Sequence, residues 1–80
     1  MTKAEVLSIF ENAWNFLRPD QVRARVNSPP DRRSMYSYLI RLAKQGLLER
    51  RPGRRGTLAY RLTERGRARL RYFEERKARD

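Results

Sequence analysis

The chain contains no cysteine and no histidine. Without cysteine there is neither a disulfide framework nor a thiolate metal site, and without histidine the commonest metal ligand and general base are missing. The sequence therefore reads as a protein that is not an enzyme, with no cofactor and no metal. The carboxylates that stand together, Glu74 and Glu75, read as solvated charges on a terminal helix rather than an acid–base pair. Long apolar runs are also missing: the longest are two or three residues, far short of a membrane span. The opening "MTKAEV" lacks the apolar stretch of a secretory signal. The expectation is a soluble cytoplasmic, nucleoid-associated protein with no membrane partner.

Acidic residues are scarce. Nine Asp and Glu face 20 Lys and Arg, a formal net charge of +11 over 80 residues. Arginine supplies 17 of those 20 cations, and its planar fork matches phosphate oxygens and base edges better than lysine does. Such a balance points to a polyanionic partner. A high arginine content can also follow genome composition, so position along the chain has to decide. The densest cluster is "RRPGRRG" at 50–56, four arginines around a proline and two glycines.

The length suits one small domain, 1–80, with a modest core. In "TKAEVLSIFENAWNFL", Val6, Leu7, Phe10, Ala13, Trp14 and Leu17 recur at helical spacing, which predicts a first helix with Trp14 as a structural anchor. Pro19 and Asp20 suit the first turn of a short second helix carrying Val22 and Val26. The prolines of "NSPP" stop it. Asp31 is an N-cap for a third helix, in which Met35, Leu39 and Leu42 point inward and Gly46 supplies a left-handed stop. Once those three are inward, Arg32, Arg33, Ser34, Tyr36, Ser37 and Arg41 occupy the opposite face.

Past Gly46 the period changes from 3.6 to 2. "LLERR" and "TLAYRL" read as strands, and "PGRRG" between them as a reversal with Arg54 and Arg55 at its tip. Thr63 then caps a fourth helix carrying Gly66, Leu70 and Phe73, with Gly66 weakening its first turn. The fold class is α+β, mostly helical: helix, helix, turn, helix, hairpin, helix, the order of a winged helix-turn-helix domain.

Specific residues carry a family resemblance over about residues 17–70. Tyr36, Leu39, Leu42, Gly46 and Leu47, followed by "YRLTERGRARL" from Tyr60 to Leu70, resemble the recognition helix, wing and following segment of PadR-type and MarR-type transcriptional repressors. The resemblance implies a DNA-binding regulator whose recognition helix, about 32–45, enters the major groove of double-stranded DNA while an arginine-rich wing, 50–56, touches backbone or minor groove. The expected DNA contacts are Arg32, Arg33, Ser34, Tyr36, Ser37 and Arg41 from the helix, and Arg50, Arg51, Arg54 and Arg55 from the wing. Either Arg32 or Arg33 could bond a guanine in bidentate fashion. Tyr36 suits packing at the helix surface equally well. Arg18, Arg23 and Arg25 are secondary phosphate candidates. A homodimer through the first helix, the fourth, or both is expected, with Tyr72 and Phe73 in the contact.

The sequence departs from that family pattern at Arg23, where a small residue usually follows the apolar one, and at "NSPPD", a longer and stiffer turn than usual. Nothing in the sequence suggests an effector pocket, since little volume remains once the core is filled. Two other functions stay open: a sequence-tolerant architectural DNA-binding protein, and a winged-helix module that binds RNA or protein.

Overall fold

A computed structural model describes residues 1–13 and 15–79, and the side chains of all of these except Arg54, Ala78 and Arg79. The anchor role read for Trp14 lies outside the described residues. The elements in chain order are α1 (Lys3–Glu11), α2 (Pro19–Arg23), α3 (Arg32–Lys44), β1 (Leu48–Pro52), β2 (Leu58–Leu62) and α4 (Glu64–Arg79). The protein is α+β, predominantly helical, with one antiparallel hairpin.

Thr2 caps α1 by accepting from the Glu5 backbone N–H at 3.1 Å. Val6, Leu7 and Phe10 are buried, as their spacing predicts. The helix ends at Glu11, however, and does not run on to Leu17. Leu17 is buried, but in extended backbone: its N–H and carbonyl exchange two 2.8 Å hydrogen bonds with the backbone of Tyr60. Asn12 and Asn15 are weak helix formers, and a pair of bonds to β2 outweighs whatever helical bias the apolar spacing carries.

Pro19 opens α2, and the Gln21 side chain accepts from the Arg18 N–H at 2.8 Å. This helix is only five residues long, so Val26 is buried beyond its end and not within it. The turn that follows is tied down from two sides. Arg23 Nε donates to the Pro30 carbonyl at 2.9 Å, and Glu5 accepts from the Asn27 N–H at 2.8 Å. Ser28 adopts φ 50 there, a left-handed conformation that such anchoring has to maintain. The unusual Arg23 and the unusual turn thus belong together: the arginine fastens the turn.

Asp31 caps α3 through a 2.7 Å bond from the Ser34 N–H, and Met35, Leu39 and Leu42 face the core. The helix closes on Gly46 at φ +80, with Gly46 N–H bonded to Ala43 O at 3.0 Å and Leu47 N–H to Leu42 O at 3.1 Å. This two-bond closure satisfies carbonyls that would otherwise be orphaned. The chain then enters β1, whose register with β2 pairs Leu48 with Leu62, Arg50 with Tyr60 and Pro52 with Leu58. The reversal places Arg55 at φ 57 and Gly56 at φ 74.

Thr63 joins two helix ends. Its hydroxyl donates to the Gly46 carbonyl at 2.7 Å and accepts from the Gly66 N–H at 3.0 Å, capping α4. Gly66 is buried at this junction, where a β-carbon would collide with the Leu47 carbonyl oxygen and approach Leu62 Cδ1 within 2.6 Å. Its role is close packing of α4 on the end of α3, beyond the weakening of a helical turn. Buried side chains from all four helices and both strands, among them Leu7, Val22, Leu39, Leu48, Tyr60 and Leu70, form one cluster.

Candidate nucleic-acid interface

Burial of one side of α3 leaves the other exposed, and that side carries Arg32, Arg33, Ser34, Ser37 and Arg41. Tyr36 is half-buried, a placement compatible with either of the roles, packing or surface contact, that the sequence allows.

Arg32 and Arg33 differ in a way their adjacency conceals. Arg32 is held by Asp20 of α2: Nε lies 3.3 Å from Oδ1 and Nη2 lies 2.9 Å from Oδ2. The pair is exposed, with side-chain accessibilities of 70% and 49%. The hydrogen bond from Arg32 lowers the Asp20 pKa below its ordinary 3.8 against a smaller effect of desolvation, and the neighbouring Arg23 and Arg18 charges push the same way. Arg33 is exposed and makes no ion pair among the described residues. Asp31, which caps the same turn, is also lowered, first by the hydrogen bond from the Ser34 backbone.

The hairpin divides its arginines between two faces. Arg50 shares the α3-facing side with Leu48 and, together with Ile40, Ala43 and Lys44, lines an open groove of about 330 Å³. Tyr60, its cross-strand partner, is fully buried, with the Arg50 guanidinium beside its hydroxyl. Burial raises the Tyr60 pKa, and the charge and hydrogen bonding of Arg50 oppose the rise. Arg51 points the other way. Its guanidinium lies 4.4 Å from the Phe16 ring centroid, and Arg61 lies 4.7 Å from the same ring. Arg61 also pairs with Glu49 at 2.9 Å. Arg55 is exposed at the reversal, whereas the side chain of Arg54 lies outside the described residues.

The fold thus brings the third-helix residues to one surface and sets Arg50 beside the last turns of that helix. It takes Arg51 to Phe16 instead. Of the secondary candidates, Arg23 is committed to Pro30 while Arg25 borders an open cleft of about 570 Å³ between α1 and α2, lined also by Ile9, Phe16 and Gln21. That cleft is surface volume that filling the core does not remove. Asp20, Phe16 and Lys44 are three residues of this region that sequence reasoning did not single out as site residues. Asp20 stands out in sequence only as a favourable charge in a first helical turn. Phe16 gives no periodic signal, because it lies between elements.

Among the described residues, no group of three or more His, Cys, Asp and Glu side chains comes together to hold a metal ion. No helix among them is long and apolar enough to cross a membrane. Compared with known proteins, the chain matches no family model and no curated protein.

Proposed function

We propose that this chain is a winged helix-turn-helix DNA-binding regulator, acting as a repressor, with α3 in the major groove and the hairpin as a wing on flanking backbone or minor groove. The observation that carries the reading is the relation between two basic elements. The exposed side of α3 bears arginines and hydroxyls, and Arg50 of the hairpin stands next to that helix across a groove shared with Lys44. A duplex laid on α3 meets donors that can read base edges and, beside them, cations that can neutralise phosphates. The resemblance of Tyr36 to Leu47 and Tyr60 to Leu70 to PadR-type and MarR-type repressors supports the same reading.

The test is selection of bound duplexes from a randomised pool at near-physiological salt, where phosphate attraction is weakened and base readout can show. Enrichment of a defined site supports the regulator. One observation favours a second reading: Arg65, Arg67, Arg69 and Arg71 are all exposed on α4, and cations on so many sides suit a sequence-tolerant architectural protein. Binding without enrichment would select that reading, and absence of binding would refute both. We also propose a homodimer through α4, where Tyr72 is 49% exposed and packs edge-on against the half-buried Phe73 at 5.8 Å. Sedimentation equilibrium giving a monomer at micromolar concentrations would remove it.

A further inference from the structure

We propose that Asp20 is a positioning residue, which presents the Arg32 guanidinium for reading one guanine in the major groove. The inference rests on the DNA-binding reading above and adds to it a division of labour between two adjacent arginines.

The contact between Asp20 and Arg32 is side-on. The carboxylate accepts from Nε and from Nη2, so it occupies one edge of the guanidinium. Of the five N–H donors of arginine, two are engaged and three remain, among them the parallel pair on the outer Nη1–Nη2 edge. A parallel pair of that kind bonds guanine O6 and N7, the commonest specific contact to a base. Asp20 thus leaves the recognition edge open and restrains the long side chain behind it, removing part of the ordering cost that a free arginine pays on binding.

The fold supports this role on both sides of the pair. Asp20 sits in the first turn of α2, fixed by the burial of Pro19 and Val22 on the opposite side. Arg32 is the first residue of α3, whose N-terminal end is the part of a recognition helix that meets base edges. A carboxylate among Arg18, Arg23 and Arg32 weakens the attraction of this surface for phosphate, and the same carboxylate holds one guanidinium in a set direction. Arg33, lacking such a partner among the described residues, is left to contact phosphate.

The experiment uses the intact chain, the duplex that it selects, and variants of that duplex changed at each base pair in turn, with affinity read by fluorescence anisotropy. The wild type is expected to prefer guanine at one position by roughly 5- to 150-fold, the range of a good bidentate contact. Asp20→Asn is expected to cut the preference to a few-fold at that position alone, while affinity for unrelated duplexes holds or rises. Arg32→Lys, which keeps the charge and loses the fork, is expected to relax the same position. Melting curves check that both variants fold. A full preference retained in Asp20→Asn, or weakening spread equally over all duplexes, would overturn the positioning role and leave DNA binding intact. A wild type that binds no duplex would overturn the DNA-binding reading and this inference together.

Discussion

Replacing Gly66 with alanine separates helix propensity from packing, because the two act in opposite directions at this residue. In an exposed helix interior, Gly→Ala stabilises by about 1 kcal/mol. At Gly66 the new methyl group would meet the Leu47 carbonyl oxygen and come within 2.6 Å of Leu62 Cδ1. That carbonyl cannot move aside freely: it belongs to the backbone and accepts a bond from the Thr63 N–H at 3.1 Å. Inserting a methyl into a well-packed site costs about 1–3 kcal/mol, and a fixed backbone neighbour puts this case at the upper end. Setting about 3 against the gain of about 1 leaves a net loss of about 2 kcal/mol. In a domain of this size that lowers Tm by roughly 8–16 °C. Thermal unfolding followed by far-ultraviolet circular dichroism measures it. Ala68→Gly on the exposed side of the same helix isolates propensity and is expected to cost about 1 kcal/mol. A Gly66→Ala protein melting at or above the wild-type temperature would refute the close-packing argument.

Thr63→Ala removes both hydroxyl bonds at the junction of α3 and α4 and is expected to cost about 1–2 kcal/mol. Thr63→Ser should recover most of that loss, and a urea midpoint equal in all three proteins would contradict the assignment. Arg50→Ala combined with Arg55→Ala should flatten the dependence of log binding constant on log salt by roughly two units, one per lost phosphate contact. Arg51→Ala, whose guanidinium rests on Phe16, should leave the slope nearly unchanged; a slope that responds equally to all three arginines would sink the two-faced hairpin. Asp20 and Asp31 have folded pKa values below the ordinary 3.8, so each contributes stability that is present above the unfolded pKa and disappears as pH falls through the folded value. With no histidine in the chain, Tm is expected to be flat from about pH 8 to about pH 5 and to decline only below about pH 4. A transition centred near pH 6 would contradict this.

The element order was legible because each signal is local. Pro19, Asp31, Gly46 and Thr63 act within a turn of their own positions, and each does in the structure what its residue type implies. Misreading began where a local pattern competed with a distant partner. Leu17 keeps the helical phase of Phe10 and is buried, yet it lies on extended backbone because Tyr60 offers it two hydrogen bonds. Val26 keeps the phase of Val22 and falls outside α2. Periodicity reports which residues seek the core, and it does not report whether the chain between them stays helical.

The candidate site divides along the same line. Its residue types, and the side of α3 on which they stand, follow from the sequence, because burying Met35, Leu39 and Leu42 leaves only one face for Arg32, Arg33, Ser37 and Arg41. Which of those arginines is restrained and which is free was decided by tertiary structure. Asp20 lies 12 positions from Arg32, and no spacing rule links a first-turn aspartate to the start of another helix. Likewise, Arg50 and Arg51 are neighbours of identical chemistry, and the strand's alternation sends one toward α3 and the other to Phe16. The sequence determined the caps, the stops, the core residues and the charge. Packing determined the partners, because a side chain's partner depends on where the whole chain has gone.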